Sequence, residues 1–161
     1  MIPYISIFAI LSAFSNLFLA GMAVVIAGAV AYIAHRQYTL AKEKFKLDMF
    51  DKRFAVYKAA QRFLTVILLD GKVDLDKLSE YRRDTQDATF LFGQDIPQYL
   101  KRIDGLALEL WETVSTYQGL PVGKERTRLC EKKTKVLQAL IAELPNLRNV
   151  FAAYLRFDKW K

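Results

Sequence analysis

One histidine, His35, and one cysteine, Cys130, make up the chain's stock of imidazole and thiol. A catalytic nucleophile needs a base within reach, and a structural zinc needs a set of Cys and His ligands. Neither set can be assembled from these two residues. Cys130 lies in the basic stretch LCEKKTK, yet it has no His partner. A single cysteine also forbids an intrachain disulfide, which fits a reducing compartment. The chain carries no GxxxxGK[ST], GxGxxG, HExxH or GxSxG. A helical ribonuclease of the HEPN type needs an Arg followed shortly by a His, and that pair is absent too. The acids fall mostly at helical surface spacing, where a solvated face is the ordinary explanation. The expectation is a protein that is not an enzyme, with no cofactor and no metal.

Basic residues offer a different chemistry. Net charge is +7, from 24 Lys+Arg and 17 Asp+Glu. An anionic partner is implied, either nucleic acid or the anionic leaflet of a membrane. Arg36, Lys42, Lys44 and Lys46 form one set, which the position of the neighbouring apolar run assigns to lipid. Lys124, Arg128, Lys132 and Lys133 form another, with Arg126 and Lys135 beside them. This second set reads either as a face for an anionic ligand or as a solvated helix surface relieved by Glu125 and Glu131. It lacks the interleaved aromatics of a single-strand binder, so nucleic acid is not the expected partner.

These residues need elements to hold them. Residues 1 to 34 carry no charge, so every charged residue lies beyond them. The apolar run has no basic residue before it and is too long for a secretory signal, so it is expected to stay in the mature chain. A membrane span needs about 20 helical residues, and residues 17–35 supply nearly that. Residues 2–15 are expected to form a short apolar helix or turn at the interface, with a break at Ser15-Asn16. A two-helix hairpin and one long tilted span are the alternatives. Basic residues follow the span and none precedes it, which places the remainder in the cytoplasm. Residues 1–35 are therefore a membrane segment and residues 36–161 a cytoplasmic helical bundle.

Small residues recur through the span. Ala20, Ala27 and Ala34 fall seven apart, as do Gly21, Gly28 and His35, with Ala23 and Ala31 beside them. Small residues let helices approach closely in lipid, where packing drives association. Ala20, Gly21, Ala27, Gly28, Ala31 and Ala34 are the expected seam of a homo-oligomer. Composition alone also explains them, since Ala and Gly are common in membrane helices. His35, at the end of the stripe, reads either as an interfacial polar residue or as a titrating ring at a pore mouth.

Beyond the span the pattern is helical throughout, with no period-two alternation. Leu40, Leu47, Phe54 and Leu68 in one row, and Phe50, Tyr57 and Leu64 in another, define an expected core face on a helix running unbroken to about Leu69. A second helix is expected from Asp74 to a C-cap at Gly93, a third from Asp95-Ile96-Pro97 to Tyr117, and a fourth from Lys124 to Leu144. Pro145 should kink or stop that helix, leaving a last one from Asn146 to Phe157. Short links make this an antiparallel bundle. The fold class is all-α: an N-terminal transmembrane helix continuing into a cytoplasmic antiparallel bundle.

The stretch YTLAKEKFKLDMFDKRFAVYKAAQRFL, read with FLFGQDIPQYL and FAAYLRF, resembles a broad family of small uncharacterised bacterial inner-membrane proteins. The shared pattern covers Lys42 to Ala59, Phe90 to Gly93, Leu120 to Leu129 and Tyr154 to Phe157. The resemblance implies a helical fold in the bacterial inner membrane and carries over no catalytic residue. The architecture is also similar to membrane accessory and effector proteins of antiphage systems. The expected function is a membrane-anchored homo-oligomer acting as a pore-forming or membrane-perturbing effector. Its partners are membrane lipid, further copies of itself and a cytoplasmic protein. A membrane-tethered interaction module is the alternative. An enzyme or nucleotide sensor ranks third.

Overall fold

The computed structural model describes residues 3–156. Within α1 the side chains of residues 3–17 and of Ala20 lie outside that description. The described chain is helical with no strand: α1 (Pro3–Asp70), α2 (Leu75–Thr85), α3 (Ala88–Leu91), α4 (Asp95–Gln118) and α5 (Lys124–Leu155). It divides into two compact units, Met1–Lys46 and Leu47–Lys161.

α1 opens on Pro3, where a missing N–H costs nothing, and passes through Ser15 and Asn16 without interruption. The expected break there is absent, because neither residue forces the backbone out of the helical well and no proline follows. Among the described residues no helix is long and apolar enough to cross a membrane. The expected span takes in Leu17 and Ala20, whose side chains are outside the description. α1 ends at Gly71, which takes φ +61° and donates its N–H to the Ile67 carbonyl at 2.9 Å. Glycine alone adopts that left-handed cap without strain.

In the second unit α1 buries Val56, Ala60, Phe63, Leu64 and Ile67. Of the expected companion row Phe50, Tyr57 and Leu64, Leu64 is fully buried and Tyr57 packs against the core, whereas the row Leu40, Leu47, Phe54 and Leu68 is corrected. Leu40 and Leu47 are exposed, and Phe54 and Leu68 are only half-buried. At about 100° per residue, that row lies roughly a third of a turn from the centre of the buried face and runs along its flank.

α2 begins where expected, with the Asp74 carboxylate accepting from the Asp76 N–H at 3.0 Å. It stops short of Gly93. Thr85 donates its hydroxyl back to the Tyr81 carbonyl, and the polar run Asp84 to Asp87 ends the helix before the single turn α3. α4 starts at Asp95 with Pro97 in its first turn, and it buries Leu100, Ile103, Ala107, Leu110 and Val114 as its spacing predicts.

Pro145 neither stops nor divides α5, so the fourth and fifth expected helices are one. Pro145 and Ile141 both lie on the exposed side, where the carbonyl freed by the missing N–H faces water. On the other side Leu140, Leu147 and Phe151 are fully buried and hold both halves of the helix to the core. α4 and α5 run antiparallel. Arg126 stands over Tyr117, Lys132 pairs with Glu109, Arg102 binds Glu143, and Asp95 meets Tyr154.

Candidate functional site

Three places bring together side chains that can bind something. The first lies in the N-terminal unit. Every side chain described between Phe18 and Phe45 is exposed, apolar ones included. The small-residue stripe is on this open surface: Gly21, Ala27, Gly28, Ala31 and Ala34 are all exposed, and a Cβ added at Gly21 or Gly28 would meet nothing within 4 Å. Ala20 shares the helix, but its side chain is outside the description. The stripe is thus available to a partner helix without rearrangement.

His35 stands exposed at the end of the stripe, and its carbonyl accepts from the Thr39 hydroxyl at 3.1 Å. The four basic residues that follow are not equivalent. Arg36 donates from Nε to the Tyr32 hydroxyl at 3.3 Å. Lys46 lies 3.7 Å from Glu43. Lys42 and Lys44 are exposed, with no carboxylate in salt-bridge range among the described residues.

The second place is the basic stretch of α5. Arg128, Lys132 and Lys135 line a surface hollow of about 520 Å³ together with Glu125, Leu129 and Glu131. Two carboxylates therefore offset three cations within it. Lys132 also spends its charge on Glu109, with Nζ to Oε1 at 3.0 Å. Lys133 turns elsewhere, placing Nζ 5.8 Å from the centre of the Tyr117 ring, which Arg126 approaches at the same distance. Lys124 is exposed at the start of the helix. The four residues expected to form one anionic-ligand face, Lys124, Arg128, Lys132 and Lys133, are thus divided between the hollow, an aromatic contact and the helix end. Cys130 is exposed among them. Among the described residues no cluster of His, Cys, Asp or Glu could hold a metal ion.

The third place was not visible as one site in the sequence. Arg53 of α1 donates from Nε to the Leu91 carbonyl at 2.9 Å, and its guanidinium stands 5.8 Å from the Phe92 ring and 5.7 Å from the Tyr154 ring. Tyr154 donates its hydroxyl to Asp95 at 2.7 Å. That bond to a carboxylate holds the phenol above its usual pKa. Gly93 lies directly beneath: a Cβ there would come within 2.8 Å of the Tyr154 hydroxyl and 2.9 Å of Asp95. Arg53 of FDKRF, Leu91 to Gly93 of FLFG and Tyr154, scattered in sequence, thus meet in a clasp of α1, α3, α4 and α5, while Phe157 at the end of YLRF lies outside the described residues. The signal was present as motifs, but helix periodicity does not tell which motifs converge.

Next to the clasp, Arg102 reaches both oxygens of the buried Glu143 at 2.7 Å, and the Tyr99 hydroxyl donates to the Glu143 carbonyl at 3.0 Å. Burial, then the Glu143 charge, raises the Tyr99 pKa, and burial does the same for Tyr81, which donates to the Leu100 carbonyl. No polar side-chain atom buried among the described residues lacks a hydrogen-bond partner. A core satisfied in this way is held rigidly in one arrangement. Trp111 is half-buried in the core edge, and Trp160 lies outside the described residues.

No family model, no curated protein and no solved structure matches this chain.

Proposed function

We propose that this chain is a membrane-anchored helical protein that self-associates through its small-residue stripe. The uncharged N-terminal run holds it in the bacterial inner membrane, and the bundle faces the cytoplasm. One observation carries the reading. Phe18, Val24, Val25, Ile26, Val30 and Ile33 are all more than half exposed among the described residues. A protein in water rarely leaves so continuous an apolar surface bare. Lipid around one part of the helix and a second copy against the stripe together give that surface an environment it tolerates.

The assembled copies then act on the bilayer, as a pore-forming or membrane-perturbing effector in antiphage defence would. The run offers few polar groups to line a lumen, with Ser12, Ser15, Asn16 and His35 the main candidates in or near the span. A narrow pore with a hydrophobic gate suits that poverty better than an open channel. The mass of the intact particle in mild detergent or nanodiscs decides the matter. A closed ring of several copies that shrinks on Gly28→Leu supports the reading, and ion leakage from loaded vesicles then tests the pore. A monomer, or a ring indifferent to Gly28→Leu, ends it.

The second reading is a tethered module that holds a cytoplasmic protein at the membrane. Phe90, on the one-turn α3 with 87 % of its surface exposed, favours it. Under that reading Phe90→Ser abolishes partner capture and leaves the particle mass unchanged. A nucleotide or other anion on the α5 face is a third. Charge reversal at Lys132 and Lys133 should abolish binding there and spare the other two.

A further inference from the structure

The turns that follow the apolar run carry a more specific message than basic charge alone. Arg36, Lys42, Lys44 and Lys46 are close in sequence and look equivalent there. The structure separates them: Arg36 is bonded to Tyr32, and Lys46 is drawn to Glu43. Lys42 and Lys44 keep their ammonium groups exposed. Tyr38, Lys42 and Phe45 follow one another at four- and three-residue steps, so they share one helix face. Both aromatics of that face are bare, Tyr38 at 70 % and Phe45 at 65 %. Aromatic rings with a polar or cationic neighbour settle at the depth of lipid headgroups, and lysine stems reach outward from there to phosphate.

We propose that this basic–aromatic collar makes the anchor selective for anionic phospholipid headgroups, and that Lys42 and Lys44 carry the selectivity. The inference rests on the membrane reading given above and adds which lipid the chain prefers and through which residues. Charge complementarity and continuity with the uncharged run argue for a lipid headgroup as the occupant. Two unpaired lysines meet a negative leaflet where their charges are least screened, within about 8 Å of the surface at physiological salt. Arg36 and Lys46 contribute less, because each already has a partner on its own helix.

The test uses the full chain. Flotation with neutral phosphatidylcholine vesicles at high salt first establishes anchoring without any electrostatic help. Native mass spectrometry of the detergent-solubilised chain, titrated with phosphatidylglycerol or phosphatidylcholine, then reads lipid preference. The wild type should retain phosphatidylglycerol preferentially. The double variant K42E/K44E should lose at least about thirtyfold in apparent affinity for it, the worth of two lysines beside an anionic surface, with repulsion by the two new carboxylates adding to the loss. K46E should change little, and both variants should still float. A wild type that floats but shows no lipid preference overturns the collar and leaves the anchor standing. So does a preference that survives K42E/K44E, or one that K46E removes equally. A wild type that fails to float overturns the anchor, and the collar with it.

Discussion

α1 lives two lives. In the second unit its inward residues Val56, Ala60, Leu64 and Ile67 are sealed, while Lys52, Lys58 and Arg62 face water. In the first unit no described side chain before Lys46 is even half-buried, and the exposed residues up to Ala34 are apolar. Helical propensity is similar in both, since both are rich in Ala, Leu and other residues that tolerate the helix. What differs is where the apolar surface goes. In one unit the chain supplies its own cover. In the other, no described side chain before Lys46 is covered by the chain itself.

The strongest way to break this comparison is to delete equal chemistry from each unit. Ile103→Ala removes a fully buried side chain from α4 and should cost the bundle about 2–5 kcal/mol. Ile26→Ala makes the same change on an exposed residue and should leave the denaturant midpoint of the bundle where it was. Chemical denaturation of the two variants side by side is the measurement. Equal losses would mean that the first unit is packed after all.

Glycine sharpens the contrast. Gly93→Ala places a Cβ against the Tyr154 hydroxyl and the Asp95 carboxylate, so the clasp must open or shift, at about 1–3 kcal/mol. Gly28→Ala fills open space and should not change bundle stability at all. Thermal melts followed by circular dichroism suffice for both.

Smaller effects probe the clasp itself. Tyr154→Phe removes the hydroxyl that Asp95 accepts and keeps the ring against Arg53 and Phe92; the loss should be about 1 kcal/mol. Arg53→Lys keeps the charge and loses the planar contact, so it should fall short of full rescue of Arg53→Ala. Stability of the wild type against pH gives the mildest signal. Tyr81 and Tyr99 have pKa values raised in the fold, whereas an unfolded tyrosine ionises near about 10. The neutral phenols' contribution is therefore intact below about pH 10 and is lost as pH rises beyond it. Tyr81→Phe should flatten that alkaline decline, and a decline unchanged in slope would exclude Tyr81 as its source.

Much of the bundle could be read in advance because it rests on local chemistry. Asp74 caps α2, Pro97 sits in the first turn of α4, and the glycine-flanked loop before Lys124 separates α4 from α5. Each depends on residues a few positions apart. Three expectations failed where long-range packing overrode a local rule. Pro145 is tolerated because Leu140, Leu147 and Phe151 anchor α5 on both sides of it. The core face of α1 lies roughly a third of a turn from the row Leu40, Leu47, Phe54 and Leu68, because the other helices of the bundle set which side of α1 is covered. Gly93 is conspicuous in sequence as a helix end, yet its place depends on a tyrosine of α5 that no local window contains.

The sequence by itself determined the helical class, the uncharged run, the small-residue stripe and the poverty of catalytic groups. All of these follow from composition and from spacing within one or two turns. Only the tertiary structure decided which cations are already spent. Lys46, Lys132 and Arg102 face carboxylates, Lys133 and Arg53 face aromatic rings, and Lys42 and Lys44 stay open to solvent. The physical reason is distance: a charge is neutralised by what lies within a few ångströms of it, and apart from near neighbours on one helix, folding chooses those neighbours.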